Sequence, residues 1–357
     1  VKARFCLNEG THYKYHDELE YASEAEKWLQ MAATESDKLI TSGRYEIYNT
    51  GHPQEDYFNM YRIDDKSDLK EAVLYVDYKT NIREHNMAAA GREAGCGFSK
   101  SFVESFLCSD GLPISLSNKY LGDETMRKET ANRDPRLKQL ILTNDFPTNV
   151  TDDLKDSTFV VNEDEFITQH CFTGYRPIKG FNPIYSQALY MKSSFDGIAY
   201  RYAETLLINA EAKAELNTIT DADLDRTINQ LRDRVGMPHL TVNVGFTDPK
   251  WPDWGYSLSP ILQEIRRERC IELAGEGFRF NDLKRWKAGK VLNNVLTYVG
   301  KRKPDGNLAI VYPNYTNPDL SYQAGKSRTW EDKMYLYPIP TGELQRNPQL
   351  LPQNPGW

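Results

Sequence analysis

No run of about 18 apolar residues occurs anywhere in this sequence, so nothing in it reads as a membrane-spanning helix. It has no CxxC pair. Its five cysteines (Cys6, Cys96, Cys108, Cys171 and Cys270) are odd in number and lack metal-site spacing, so they read as mostly free, small, buried hydrophobes. An excess of basic charge is missing too. The net charge is -7, which argues against nucleic acid as a partner, because phosphate contacts need a clustered basic face. G-x-S-x-G, P-loop and G-x-G-x-x-G elements are absent, which removes the commonest nucleophile and nucleotide signatures. The opening "VKARFCLNEGTHYKYH" has neither an initiator Met nor a signal-peptide pattern, and already shows helical spacing. The expectation is that an upstream portion, with any targeting or anchoring signal, is missing from this chain.

What remains is a globular composition. Hydrophobic residues make up 39% of 357, enough for a substantial core in one large or two ordinary domains. Aromatics are abundant, with 22 Tyr, 14 Phe and 6 Trp. Rings of this kind fill cores, and they also serve flat, wet recognition surfaces.

Five stretches read as helices: 1–17, 23–41, 200–216, 223–235 and 259–274. Ser23 with Glu26 forms a capping signal, Asp221 is the expected cap of the fourth, and Pro260 stands at the first position of the fifth. The third and fourth make a helix-turn-helix pair. Ala203, Ala210, Ala212 and Ala214 let backbones approach, and Tyr202, Leu206 and Leu207 fill the remaining space. This is how tetratricopeptide-type repeats bury their faces. The segment 45–199 is different, punctuated by Gly and Pro ("GHPQEDY", "SDGLPISLS", "FTGYRPIKGFNP"), and reads as short strands and long ordered loops with a helical piece near 99–109. A second irregular stretch covers 293–330. In the proline-rich tail, Thr341 is expected to cap one turn that Asn347-Pro348 ends. The expected fold is mainly α, a tetratricopeptide-like scaffold with long irregular loops and a few short strands.

"IRRERCIELAGEGFRFNDLKRW" (265–286) is the most charged helical stretch. Ile261, Ile265, Arg269 and Leu273 share one i,i+4 row, and Glu268 and Glu272 lie beside it, so charge falls inside the apolar stripe. Half-buried guanidiniums need carboxylates. Arg269 with Glu272, and Glu264 with Arg267, stand at i,i+3 spacing. Gly275 and Gly277 break the helix, and Asp282, Arg285 and Trp286 follow on a second one that folds back. A catalytic reading makes the Glu264/Glu268/Glu272 cluster the acid and base of a glycoside hydrolase. The favoured reading is a salt-bridged joint of Glu264, Arg267, Glu268, Arg269, Glu272, Asp282 and Arg285, in which alternating signs keep each carboxylate ionised.

"RYAETLLINAEAKAEL", "INQLRDRVGMP", this joint and "LYPIPTGELQRNPQLLPQNPGW" occur in that order, with "EGTHYKYH", "DGLPI" and "NRDPRL" upstream. Together they resemble the SusD/RagB family over nearly the whole chain. The resemblance implies an outward-facing, lipid-anchored outer-membrane protein that captures nutrients, most often glycans, beside a SusC-like TonB-dependent transporter. The resemblance implies a binding protein and not an enzyme. It divides the chain into 1–80, the end of an N-terminal helical region, and 81–357, the family domain with its scaffold at 199–290. The lipid-accepting cysteine of such proteins is not present in this chain. Rival readings are a peptide-binding member, whose acidic balance favours basic or neutral peptides, and an intracellular helical-repeat scaffold.

Candidate ligand contacts are Trp251 and Trp254 in "DPKWPDWGYS", where an exposed indole would stack on a sugar ring. The competing reading makes that loop a plug against the helical core. The polar loop 81–99 offers Arg83, His85, Asn86 and Arg92 as hydroxyl readers, with Trp330 and Tyr315 as further rings. His12 and His16 stand at metal-pair spacing but lack an intervening acid, so no metal or other cofactor is assigned. Acidic loops such as "TDDLKDS" would admit calcium. The sequons at Asn149 and Asn314 carry no weight in a bacterial protein.

Overall fold

A computed structural model describes residues 1–90, 97–168, 170–310 and 329–357. The chain opens with an antiparallel helical hairpin, α1 (Lys2–Tyr15) and α2 (Ala22–Thr41). The helices meet where Gly10 lies against Leu29: a Cβ on Gly10 would sit 2.8 Å from Leu29 Cγ and 3.0 Å from its backbone nitrogen. No larger residue fits that crossing without moving a backbone. The expected cap at Ser23 does not form. Helix α2 starts one residue earlier, behind Tyr21, without a side-chain cap.

The irregular region follows. Its strands are short: β1 (Ala72–Val76), then the hairpin β2 (Asn149–Val150) and β3 (Ser157–Thr158). β1 pairs antiparallel with β4 (Gly197–Arg201), which leads directly into α3 (Tyr202–Glu215). Between these elements short helical turns and ordered loops enclose their own apolar core, built on Val103, Phe106, Leu137, Leu140, Phe166 and Tyr175.

Helix α3 is the axle of the scaffold. Ile208 and Ala212 pack on Cys6, Leu7, Leu29 and Ala32 of the first hairpin. Leu206, Leu207, Ala210 and Ala214 face the opposite way, onto Leu224, Ile228, Leu231 and Ile265. The alanines let both layers approach, and buried Asn209 donates its amide to the Ala33 carbonyl and Ser36 hydroxyl, each at 3.1 Å. The expected fourth helix is two, α4 (Asp221–Asp225) and α5 (Ile228–Arg234). Its cap is Thr220, not Asp221. The Thr220 hydroxyl accepts from the Asp223 amide, and the Asp223 carboxylate accepts from the Thr220 amide, a reciprocal capping box.

Helix α6 (Pro260–Glu272) has Ser259 as its cap and Pro260 at its first position. Gly275 and Gly277 take φ of +75° and +82°, a left-handed turn that reverses the chain into α7 (Arg279–Arg285). β5 (Val299–Arg302) and β6 (Leu308–Ile310) form the third two-stranded sheet, a hairpin. The tail carries α8 (Thr341–Arg346), whose cap position is held by Pro340 with no side-chain bond, so Thr341 is its first residue and not its cap. The architecture is the mainly α, helical-repeat scaffold with loop excursions that the sequence implies.

Candidate functional site

The α6 carboxylates are closed off from solvent: Glu264 and Glu272 are 0% exposed and Glu268 is 2%. Their partners come mostly from other elements. Glu272 receives Arg234 (2.6 Å), Arg201 (2.6 Å) and Arg136 (2.9 Å). Glu268 receives Arg136 and, at 3.1 Å, Arg232. Asp134 also binds Arg136, Glu71 binds Arg201, and Glu276 binds Arg201 and Lys179. Within this network five acids (Glu71, Asp134, Glu268, Glu272 and Glu276) face five bases (Arg136, Arg201, Arg232, Arg234 and Lys179). Burial on its own would raise the Glu272 carboxyl. Arg234, Arg201 and Arg136 outweigh it and hold the group well below the usual carboxylate range. Glu276 follows the same balance and falls to about 2.

Of the two expected i,i+3 pairs, one forms. Arg267 reaches Glu264 at 3.2 Å. Arg269 does not pair with Glu272. It turns to Asp282 on α7 at 2.9 Å, and Asp282 also binds Arg285 at 2.9 Å. The reason is geometric: Glu272 is already saturated by three guanidiniums from elsewhere. One position departs from the rule that alternating signs hold each carboxyl down. Burial raises the Glu264 carboxyl, with Arg267 opposing, and one of its oxygens is buried without a hydrogen-bond partner.

Helix α3 carries the second half of the joint. Glu204, Glu211 and Glu215 lie on it, and each meets an arginine from another helix: Arg4, Arg285 and Arg266. Arg266 lies over Trp286 at 4.3 Å and Trp254 at 4.9 Å from the ring centroids.

This sorts the predicted ring residues. Trp254 is 4% exposed, donates its indole N–H to Gln263 and meets Trp286 edge-on at 5.6 Å. It has no face to offer a sugar. Trp251 is half-buried, and its N–H is spent on Glu264 at 2.7 Å. Trp330 is half-buried beside Phe280 and Tyr335. Arg92 and Tyr315 lie outside the described residues. His12 and His16 stack on each other at 4.1 Å, and His16 is bound to the Lys284 carbonyl and Glu18, a structural arrangement. Among the described residues no group of three or more His, Cys, Asp or Glu is placed to hold a metal ion.

His85 and Asn86 come together on the wall of a cavity of about 1210 Å³, with Tyr61, Tyr78, Lys179 and Phe278 around it. His85 is committed to the fold. Its Nε2–H donates to the Phe195 carbonyl (2.8 Å), and its Nδ1 accepts the Met87 amide (3.0 Å). Burial lowers its pKa, so this neutral tautomer persists at neutral pH. The Asn86 side-chain oxygen accepts the Met191 amide at 3.1 Å, which ties this loop to 184–193. Exposed Arg83 lies 4.9 Å over the ring of Tyr78. Lys179 donates to Glu276, Ala274 O and the Tyr57 hydroxyl, and burial brings it down to about 8 against the pull of Glu276.

Sequence reasoning missed two exposed rings of the irregular region. Tyr185 and Tyr190 are 53% and 72% exposed. The signal was there in "NPIYSQALYMK", a polar-aromatic turn before a strand, but nothing local said which rings would face outward.

The family model described as the SusD family matches residues 35–357. The chain is 31% identical to SusD-like protein P2 of Formosa agariphila over 166 residues, 46% of this chain and 27% of that protein. A SusD-like protein of Bacteroides fragilis superposes with a TM-score of 0.64 at 24% identity, covering 94% of this chain and 64% of its own. A SusD-like carbohydrate-binding protein of the same species gives 0.64 at 22%, covering 98% and 63%. The chain therefore spans about a quarter of the length of the curated relative and less than two thirds of these solved chains.

Proposed function

The chain belongs to the SusD family, and from that membership we propose that it captures glycan at the outer face of a bacterial outer membrane and delivers it to a SusC-like TonB-dependent transporter. The observation that carries the reading is the family match over 35–357. The likeness to a SusD-like carbohydrate-binding protein of Bacteroides fragilis points the same way. Members of the family are generally binding proteins without turnover, and this chain is read as one. Membrane attachment is read as through a lipid. Among the described residues no helix is long and apolar enough to cross a bilayer.

The packing of α6 weighs against the hydrolase alternative. A glycosidase needs one carboxyl able to protonate a leaving group and another facing it across a substrate. Glu268 and Glu272 are buried and locked on guanidiniums, and buried Glu264 faces Trp251 and Arg267. None of the three carboxyls is open to solvent, where a substrate would have to reach it. Binding then belongs to loops held rigid by this joint, a division of labour common to scaffolds that carry function on loops.

The test is affinity electrophoresis through gels containing soluble polysaccharides, paired with a reducing-sugar assay on the same mixtures. Retardation by at least one polysaccharide without release of reducing ends is the expected result. Tight binding of basic or neutral peptides with no retardation would favour the peptide-binding alternative. Release of reducing ends would install the hydrolase.

A further inference from the structure

We infer that Tyr185 and Tyr190 form a platform for neutral saccharide rings, on a loop fixed in place before the ligand arrives. This assignment rests on the glycan-binding reading above and gives that reading a site.

Availability is the first argument. The exposed aromatic rings among the described residues are Phe5, Tyr21, Phe159, Tyr185, Tyr190, Phe280, Tyr337 and Trp357. Most already have a partner. Trp28 stands edge-on to Phe5, Tyr13 lies beside Tyr21, and Trp330 lies beside Phe280. Lys284 sits 4.1 Å over Tyr337, and Lys333 5.0 Å over Trp357. Among the described residues, no ring or cation lies against Phe159, Tyr185 or Tyr190. Of these, the two tyrosines lie five residues apart on one loop, in successive turns at 184–188 and 189–192, and carry hydroxyls that can read a sugar as well as stack on it.

Rigidity is the second argument. The Tyr185 amide donates to the Val150 carbonyl (2.9 Å), and the Ser186 amide to the Asp152 carboxylate (2.9 Å). Buried Ala188 closes a helical turn onto Ile184 at 2.9 Å. After Tyr190, the Met191 amide donates to Asn86, and Ser193 exchanges two backbone hydrogen bonds with His85. Both ends of this loop are therefore anchored, so little conformational entropy is lost when a ring lands on it.

Charge selects the ligand class. The neighbouring turn presents Asp152, Asp153 and Asp156 against Lys155, and Lys192 is matched by Glu84 at 3.6 Å. The excess is acidic, which repels polyuronates and sulfated glycans and leaves neutral pyranoses. Their C–H faces meet tyrosine, while the tyrosine hydroxyls are available to their hydroxyl groups.

The experiment compares wild type, Tyr185→Ala/Tyr190→Ala and Tyr185→Phe/Tyr190→Phe in gels of amylopectin, xyloglucan, laminarin and polygalacturonate. Thermal unfolding of each variant controls for folding. The double alanine variant should bind the retarding neutral polysaccharide about tenfold or more weakly with an unchanged Tm, and the double phenylalanine variant should keep most of the affinity. Binding of the alanine variant within about twofold of wild type overturns the platform while leaving glycan capture standing. Retardation by polygalacturonate alone overturns the neutral assignment. A wild-type chain retarded by none of the four sinks the platform for these ligands. If glycan binding survives in the alanine variant but co-purification with a transporter is lost, the turn is a protein-docking surface instead.

Discussion

The tryptophans around α6 and the tyrosines of 184–193 are aromatic residues put to opposite uses. Trp254 and Trp286 are sealed inside, with Arg266 over both rings and each N–H bonded to a side chain. Tyr185 and Tyr190 stand in solvent on a turn held by backbone bonds. The difference lies in the neighbours. A ring surrounded by guanidiniums and carboxylates that must themselves be buried is drawn in with them, because it shields the pairs from water. A ring on a loop whose amides are satisfied by neighbouring backbone and side-chain acceptors, with no buried ion pair to cover, is free to face out.

That contrast can be broken most severely at its charged centre. Glu272→Ala leaves Arg136, Arg201 and Arg234 buried around a missing acid, and should cost about 3–5 kcal/mol in denaturant unfolding, or prevent folding altogether. A smaller but still large effect is expected at the ring: Trp254→Ala should cost about 3 kcal/mol through a cavity and a lost Gln263 contact, while the folded fraction keeps its glycan affinity. Tyr190→Ala should do the reverse, within about 0.5 kcal/mol in stability. If both substitutions affected the same property, the contrast would collapse.

Acid sharpens it further. The Glu276 carboxyl is held down at about 2 from an ordinary value of 4.5, so the unfolded chain binds more protons than the folded one between those limits. Its contribution is full above the unfolded value and is lost as pH falls through the folded one. Denaturant midpoints should therefore drop between about pH 4.5 and 2, and Glu276→Gln should flatten part of that drop. The smallest effect belongs to the periphery. Arg346→Ala removes an exposed i,i+3 pair with Glu343 and should change stability by about 0–1 kcal/mol. A cost near that of Glu272→Ala would mean that exposure does not separate the two kinds of charge.

Much of the scaffold was legible locally. Ser259 and Pro260 announced the start of α6, the two glycines its end, and the alanines of α3 its close packing. The break between α4 and α5 was not legible, because Thr227 leaves helical geometry (φ -130°) while its hydroxyl caps back onto the Asp223 carbonyl. Among the candidate contacts, His85 and Asn86 did reach a cavity wall, but the pattern that suggested Trp251 and Trp254 as stacking surfaces could not reveal that their N–H groups have acceptors on α6.

By itself the sequence determined which stretches are helical, where α6 starts and where glycines end it, that charge enters an apolar stripe between 261 and 273, and which family the ordered segments resemble. These depend on neighbours within a turn or two, where the chain's own geometry sets the distances. Only the tertiary structure decided who partners whom. Glu272 takes its arginines from 38, 71 and 136 residues away, in preference to Arg269 three positions before it. A buried carboxylate is satisfied by whichever guanidinium the packing of separate elements brings within reach, and local spacing does not encode that distance.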